Sequence, residues 1–308
     1  MSKYIWADRY RPKTVNDYVF RDEIQRVSIN NWIKEKSIPH LLLSGSAGVG
    51  KTTLAKVLLN ELEVNEYDIL EINASRNNGV DYIRDTISNF ICTIPFGDFK
   101  VILLDEADFL SPNAQAVLRG LTEEYHETAR FILTCNYPHK ILPALHSRCQ
   151  GFHVDKTDQV EYTARVATIL VSENIDFDLD ILDSYVKTWY PDLRKCINSV
   201  QQHSSTGTLL PMTKGEDGIP DYKIEMVELF KKKKIKEART LLCGKARPEE
   251  MVDIYRWLYD NVKLFADTEM SIDSALVIIK QGLVDHAICA DGEINLAATL
   301  TKLANIQK

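Results

Sequence analysis

The octapeptide GSAGVGKT, residues 45–52, restricts the fold of this chain more than any other stretch. It fits the pattern G-x-x-x-x-G-K-[ST], follows the apolar run HLLLS and opens the helix-like run KTTLAKVLLNEL. In this context the glycines let the backbone wrap an anion, and N–H groups at a helix N-terminus are directed at phosphate. Lys51 is suited to the terminal phosphates and the Thr52 hydroxyl to Mg²⁺. The stretch predicts a P-loop for ATP and Mg²⁺, and not a chance glycine-rich turn.

Short apolar runs alternate with helix-like segments on both sides of this loop. Segments with apolar residues three to four positions apart separate the first four runs, and one of these segments has Ser111 as a candidate N-cap and Pro112 at the first helical position. The alternation predicts an α/β domain with a parallel sheet covered on both faces. The strand-like runs are HLLLS, DILEI, KVILLD, RFILTCN and GFHV.

Beyond residue 155 the strand-like runs stop and the pattern becomes helical. A stretch rich in Gly, Pro and polar residues, SSTGTLLPMTKGEDGIPDY, predicts an exposed connection. We therefore expect an α/β domain over 1–155, a helical domain over 156–218 and a second helical domain over 219–308. The run KKKKIK, residues 231–236, is expected to be a solvated helix face rather than a nucleic-acid site.

The composition limits where the protein works and what it binds. A formal net charge of −7 argues against broad coating of nucleic acid, although a local basic track remains compatible with it. The apolar runs are too short to span a bilayer, and the first residues lack the apolar core of a secretory signal. We expect a cytoplasmic protein. None of the six cysteines forms a CxxC pair, so we expect buried thiols rather than a zinc module or disulfide framework.

The run KVILLDEAD ends in carboxylates that are suited to hold a metal ion and to activate a water molecule. Asp105, at the end of a buried strand, can hold Mg²⁺ through water, and Glu106 can polarise the attacking water. The alternative is a structural carboxylate at a strand end, but a second acid directly after the first favours hydrolysis. For Asp108 we expect no chemical role and predict that it caps the following turn.

The tetrapeptide DEAD also names a class of RNA helicases, but other features of that class are missing. No second α/β pattern follows, and FILTCN stands where the helicase SAT motif would be. Its Asn136 is suited to position the lytic water. In SRC, Arg148 is expected to face away from its own P-loop and to serve a neighbouring subunit, where an arginine is worth about three to five orders of magnitude in rate. In PDLRK, Arg194 could fold back over the phosphates.

Taken in order, the motifs YRP, GSAGVGKT, INAS, LLDEAD, AQAVLR, RFILTCN, SRC and PDLRK resemble the AAA+ ATPase subunits of sliding-clamp loaders. The resemblance is to replication factor C small subunits and to the large-subunit ATPase of phage clamp loaders. It covers residues 4 to about 200. It implies an AAA+ P-loop parallel-sheet domain, a small helical lid domain and a C-terminal all-helical collar through which subunits associate. Gly120 stands where family members often carry a second Arg after Arg119.

The resemblance also assigns the nucleotide site residue by residue. Asn136 becomes the first sensor, Arg194 the second, and Arg148 the arginine finger for the adjacent subunit; the alternative for Arg148 is an ordinary surface cation. Lys51 and Glu106 complete the catalytic set. The residues implied to wrap adenine, ribose and phosphates are Ala7, Asp8, Arg9, Tyr10, Arg11, Pro12, Val19, Gly48, Val49, Gly50, Lys51, Thr52 and Thr53.

Primer–template DNA and a ring-shaped clamp are the partners that the resemblance implies. DNA would be held by its phosphates, without sequence preference, at helix N-termini that include the helix of Gln115 and Arg119. For Arg84 the alternative is a salt bridge with Asp81 or Asp85. The clamp is expected near PFGDF, with Phe96 or Phe99 as apolar anchors, and near SPNAQ. The candidate DNA contacts are Ser75, Arg76, Asn77, Asn78 and Arg84.

The resemblance therefore implies a DNA- and clamp-stimulated ATP hydrolase that works with other clamp-loader subunits, because family loaders are pentameric. ATP binding would assemble a spiral that opens a clamp and binds primer–template DNA, and hydrolysis would release the clamp on the DNA. One alternative is another AAA+ DNA-remodelling motor such as a branch-migration ATPase. A second is a nucleotide-binding scaffold that never hydrolyses ATP; the presence of Lys51, Glu106, Asn136 and Arg148 argues against it.

Overall fold

A computed structural model describes residues 5–155, 157–212, 221–245, 251–266, 268–286 and 288–306. The chain divides into two compact units, Met1–Pro211 and Met212–Lys308. This division falls within the predicted Gly- and Pro-rich connection. The predicted boundary at 218 lies outside the described residues, and the predicted division of the first unit after residue 155 stays a prediction.

The first unit contains a five-stranded sheet in which every neighbouring pair is parallel. The order across the sheet is β2-β3-β4-β1-β5. All five strands coincide with the predicted apolar runs, so the α/β prediction is confirmed. The strands are β1 (Leu41–Ser44), β2 (Ile69–Asn73), β3 (Lys100–Asp105), β4 (Ala129–Cys135) and β5 (Gln150–His153).

Both faces of this sheet are buried, because successive strand residues point to opposite sides. Leu42, Ile102 and Leu104 belong to a cluster on one face, and Leu41 and Leu43 belong to a cluster on the other. The strands can therefore be apolar at nearly every position, and these continuous apolar runs are the pattern from which we predicted them.

Fourteen α-helices are assigned within the described residues. The helices are α1 (Trp6–Arg9), α2 (Glu23–Glu35), α3 (Lys51–Glu61), α4 (Val80–Ile91), α5 (Pro112–Glu124), α6 (Pro143–His146), α7 (Gln159–Ser172), α8 (Leu179–Trp189), α9 (Leu193–His203), α10 (Asp221–Lys231), α11 (Ile235–Lys245), α12 (Met251–Asp260), α13 (Glu269–His286) and α14 (Gly292–Ile306). Five of them, α2, α5, α7, α8 and α9, directly follow a residue whose side chain accepts a backbone N–H of the first turn. In α5 the Ser111 side chain accepts the Ala114 N–H and Pro112 opens the helix, as predicted.

Helices α10 to α14 share a core of their own in the second unit, which includes Phe230, Tyr255 and Phe265. The lysine run lies between α10 and α11 and is exposed, so it forms mainly a turn and not the helix face that we predicted. Within the described residues, no helix is both long enough and apolar enough to cross a membrane. All six cysteines are free; Cys92 and Cys289 are exposed, contrary to the expectation of buried thiols.

The strand order decides where a site can form. Because β3, β4 and β1 are adjacent and parallel, the segments that follow them meet at one edge of the sheet. The P-loop follows β1, Asp105 ends β3 and Asn136 follows β4. Residues far apart in the chain are thereby brought to one place.

Candidate nucleotide site

The P-loop is shaped by two glycines with left-handed backbone conformations. Gly48 has φ +77° and Gly50 has φ +97°, and α3 begins directly after them at Lys51. Other residues are strained in this region, whereas glycine adopts it readily. The turn leaves the N-terminus of α3, with its free N–H groups, at the carboxyl edge of the sheet.

Lys51 is held by three oxygen acceptors. Its Nζ donates to the carbonyls of Gly45 at 2.9 Å and Ser46 at 2.7 Å, and to Asn136 Oδ1 at 2.7 Å. Burial lowers the pKa of Lys51, while the carboxylate of Asp105 is among the groups that favour its charged form. The contact with Asn136 joins the predicted phosphate lysine to the predicted first sensor.

Thr52 and Asp105 also meet, as their assigned metal role requires. Thr52 Oγ1 donates to Asp105 Oδ1 at 2.6 Å, and Thr134 Oγ1 donates to the same oxygen at 2.6 Å. Hydroxyl and carboxylate oxygens are ligands that Mg²⁺ prefers, so this pair fits the ion. Thr134, on β4, was not predicted; its only sequence signal was a polar residue inside an apolar strand.

Glu106 leaves the strand in an unusual conformation. Its φ is 58° and its ψ is 43°, the left-handed region that few residues other than glycine adopt. Its N–H donates to Thr134 Oγ1 at 3.0 Å. Thr134 therefore holds both acids: it orients the Asp105 carboxylate through its hydroxyl proton and fixes the Glu106 backbone through its oxygen.

Asp108 does not cap the following turn. Instead its carboxylate accepts the backbone N–H of Asn136 at 3.4 Å and of Tyr137 at 3.3 Å, and the side chain is buried. A buried carboxylate is stabilised when N–H groups donate to it. Asp108 thus fixes the backbone that carries Asn136, a positioning role that the prediction missed.

A pocket lies between the P-loop, the N-terminal segment and helices α7 and α9. Asp8 and Arg9, also predicted to wrap the nucleotide, do not line it: Asp8 pairs with Arg11 at 3.0 Å and Arg9 with Glu173 at 2.8 Å. The predicted residues that line it are Ala7, Tyr10, Arg11, Pro12, Val19, Gly48, Val49, Gly50, Thr53 and Arg194. The lining residues that were not predicted are Tyr18, Thr157, Arg165, Pro191, Leu193 and Ile197.

Polar contacts connect the N-terminal segment to α7, including its C-terminal end, and to α9. Arg165 on α7 donates to the Tyr10 carbonyl at 2.9 Å, and Tyr10 Oη donates to Glu173 at 2.5 Å. The Trp6 N–H donates to Gln201 on α9 at 2.9 Å. The wall of the pocket formed by this segment is therefore connected to α7 and α9.

Arg148 lies at the other edge of the sheet. It comes two residues before β5, whose first residue, Gln150, pairs with the first residue of β1, whereas the P-loop follows the last residue of β1. Its guanidinium contacts the Glu123 carboxylate and donates to the Ala144 carbonyl at 2.8 Å, and its buried Nε has no hydrogen-bond partner among the described residues. Arg148 and the P-loop of one chain are thus at opposite ends of the sheet.

The candidate DNA residues lie in and after the β2–α4 connection. Ser75, Arg76, Asn77 and Asn78 are all exposed. Arg84 on α4 is 3.5 Å from Asp81, so the salt bridge weighed as its alternative is present. Gln115, in contrast, is buried and donates to the carbonyls of Leu110 and Lys140.

Known proteins resemble this chain along most of its length. A family model described as "ATPase family associated with various cellular activities (AAA)" matches residues 41–154. The replication factor C small subunit of Methanococcus vannielii is 33% identical over 98% of this chain and 99% of its own. The replication factor C small subunit of Sulfolobus acidocaldarius is 36% identical over 97% of this chain and 95% of its own.

Solved structures with the same fold are more distant in sequence. The Thermotoga maritima RuvB Holliday junction branch migration motor superposes with a TM-score of 0.57 at 15% identity. The match covers 72% of this chain and 79% of that chain. At this identity the likeness concerns the fold alone.

Proposed function

The chain belongs to the replication factor C small-subunit family of clamp-loader AAA ATPases, and from that premise we propose how it works. ATP binding draws it, with other loader subunits, into a spiral that opens a ring-shaped sliding clamp and grips primer–template DNA. Hydrolysis then releases the clamp on the DNA. We place this activity in the cytoplasm, at the replication machinery.

The observation that carries the proposal is the separation of Arg148 from its own P-loop. The groups at the carboxyl edge can bind ATP, yet the SRC arginine lies beyond the amino end of the neighbouring strand. A nucleotide in one chain would be reached by Arg148 of the next. ATP would then join two subunits, and hydrolysis would weaken that joint.

Within one chain, the residues divide the chemistry as follows. Lys51 would contact the terminal phosphates, Thr52 and Asp105 would hold Mg²⁺, and Glu106 would take the proton of the attacking water, which Asn136 orients. When bound, Mg²⁺ neutralises the developing phosphate charge. The hydrogen bonds of Thr134 and Asp108 keep these side chains in place before the nucleotide arrives, which lowers the reorganisation that the transition state requires.

The segment after α4 offers a surface for the clamp. Ile94 and Phe96 are 88% and 76% exposed, whereas Phe99 is buried. Buried Asp68 holds this segment, since its carboxylate accepts the N–H of Phe96 at 2.9 Å and of Gly97 at 2.8 Å. A fixed turn with two apolar side chains in solvent suits an apolar groove on a partner.

DNA would meet the exposed stretch from Ser75 to Asn78 together with Arg84. The pairing of Arg84 with Asp81 does not prevent this, because both side chains are more than half exposed and such pairs contribute little stability. Phosphate contacts of this kind carry affinity without sequence preference.

The deciding experiment measures steady-state ATP hydrolysis, with cognate partner subunits present, in four conditions: alone, with primer–template DNA, with clamp, and with both. We expect the rate to be highest with both. The alternative, a branch-migration motor, is kept because the fold resembles RuvB. Stimulation by DNA without any effect of the clamp, together with directional translocation on duplex DNA, would favour the motor and reject the loader.

A further inference from the structure

The loop before α9 places the carboxylate of Asp192 in contact with Gly48 of the P-loop. A Cβ added at Gly48 would lie 1.8 Å from Asp192 Oδ1 and 2.2 Å from Asp192 Cγ, so no side chain fits between them. Gly48 lines the pocket, as do the residues on either side of Asp192, Pro191 and Leu193. This contact joins the part of the chain that cradles phosphate to the helical part that closes the pocket.

The same carboxylate begins helix α9. Asp192 Oδ1 accepts the Lys195 N–H at 2.9 Å, which is the hydrogen bond of an N-cap residue. The backbone is fixed as well: the Asp192 N–H donates to the Trp189 carbonyl at 2.7 Å, and the Asp192 carbonyl accepts the Cys196 N–H at 3.1 Å. A shift of the carboxylate therefore either breaks the cap hydrogen bond or moves the first turn of α9 with it.

Arg194 is in that first turn. It follows Asp192 by two positions, is exposed and lines the pocket. A displacement of Asp192 is for this reason also a displacement of the residue assigned as the second sensor.

The charge of Asp192 is unfavourable at this place. A P-loop binds anions, and a carboxylate touching it repels the phosphates of a bound nucleotide. Lys195 Nζ, at 3.9 Å from Asp192 Oδ2, offsets this charge only weakly because the lysine side chain is 65% exposed. Asparagine and serine cap helices about as well as aspartate, so capping by itself does not require the charge.

We propose that Asp192 is a positioning residue that transmits the charge of the nucleotide phosphates from the P-loop to α9 and Arg194. Phosphate in the P-loop repels the carboxylate, and α9 responds because Asp192 is its N-cap. A triphosphate acts more strongly than a diphosphate, so the position of Arg194 depends on which nucleotide is bound. The proposal rests on Arg194 serving the nucleotide, as assumed in the proposed function.

The test compares Asp192→Asn and Asp192→Ser with the wild-type full chain. Both variants keep a capping oxygen and remove the charge. Affinities for ATP and ADP are measured by competition with a fluorescent nucleotide at low and high salt, and thermal melting reports stability. We expect ATP to bind about three- to tenfold more tightly to both variants, ADP to change less, and the difference to shrink at high salt.

The matched control is Asp178→Asn. Asp178 caps α8 in the same way, by accepting the Asp180 N–H at 2.7 Å, but is not among the residues that contact Gly48 or line the pocket. This variant should bind both nucleotides as the wild type does.

Unchanged ATP and ADP affinities in both Asp192 variants, with normal melting, would reduce Asp192 to a helix cap and overturn the proposal. An equal gain in affinity for ATP and ADP at every salt concentration would also overturn the proposal. Because nucleotide titration needs neither DNA nor clamp, failure here is distinct from failure of clamp loading.

Discussion

Glu106 adopts the left-handed conformation, with φ 58° and ψ 43°, one residue after the strand that carries Asp105. Backbone strain of this kind persists where surrounding contacts impose it and is concentrated at functional sites. Here the Thr134 hydroxyl accepts the Glu106 N–H. The neighbouring acids differ in their tasks: Asp105 accepts two hydroxyl protons, and Asp108 holds the backbone of Asn136 and Tyr137.

The first prediction concerns Glu106→Gln. The substitution keeps the shape of the side chain and removes the base, so ATP should bind normally while turnover falls by about two to four orders of magnitude. Nucleotide titration and steady-state hydrolysis measure the two effects separately. Glu127→Gln, an exposed acid, is the control and should hydrolyse ATP normally. Near-normal turnover of the Glu106 variant would remove Glu106 from the catalytic set.

At the scale of elements, local sequence decides where a strand or helix forms, whereas the order of strands in the sheet decides which elements are neighbours. The amino ends of β1, β4 and β5 meet at His40. Its Nδ1 accepts the Phe131 N–H at 3.1 Å and its carbonyl accepts the Gln150 N–H at 2.7 Å. Burial lowers the pKa of His40 to about 4, and the nearby Arg130 and His126 act in the same direction.

The second prediction follows from that pKa. The folded state holds His40 neutral, whereas in the unfolded chain it titrates near 6.5 and binds a proton more readily. The stability that neutral His40 contributes is therefore fully present above pH 6.5 and is lost as the pH falls towards 4. In His40→Asn, which keeps an acceptor near the Phe131 N–H, melting temperature should depend less on pH across this window. His139→Asn, at an exposed histidine, should retain the wild-type slope; equal slopes in all three proteins would contradict the prediction.

The third prediction concerns the segment between α4 and β3. Phe96→Ala removes an exposed ring, so melting should change little, whereas affinity for the clamp should fall about tenfold or more if the ring is a binding anchor. Binding is measured by titrating labelled clamp with the assembled loader in the presence of ATP. Ile24→Ala, which removes an equally exposed apolar side chain on α2, serves as the control. Unaltered clamp affinity in Phe96→Ala would exclude this ring from the interface.

At the scale of the whole molecule, the chain carries two parts of an ATPase site at different places. The nucleotide pocket lies at the carboxyl edge of the sheet, and Arg148 lies near the amino end of β5, held by Glu123 and Ala144. The second unit, Met212–Lys308, has its own core and is suited to act as the predicted collar. An ATPase with this arrangement is expected to work only as an assembly.

The fourth prediction tests that expectation by mixing. Arg148→Ala should bind ATP normally, because its own pocket is intact, and should lose about three to five orders of magnitude in hydrolysis rate. A Lys51→Ala subunit has a defective pocket but an intact Arg148. Mixed assemblies of the two variants should regain part of the activity when an Arg148→Ala pocket faces an intact arginine. No recovery in assemblies shown to be mixed would argue against action in trans.

Much of the fold was accessible from the sequence, and the α/β prediction with its five strands is confirmed. Less of the candidate nucleotide site could be predicted from the sequence. Ten of the residues predicted to bind the nucleotide line the pocket, whereas Asp8, Arg9, Lys51 and Thr52 are not among its lining residues, and Asp108 has a different role from the predicted one. The roles assigned to Glu106, Arg148 and the DNA-contacting residues stay predictions.

The sequence by itself determined the elements and the P-loop, because these depend on residues a few positions apart: apolar spacing, the Ser111 cap, and glycines before Lys51. Only the tertiary structure decided which side chains meet. Lys51 reaches Asn136 across 85 positions and Thr52 reaches Asp105 across 53. The contact between Gly48 and Asp192 also left no pattern in the sequence, because short-range spacing carries no information about which distant segments the fold brings together.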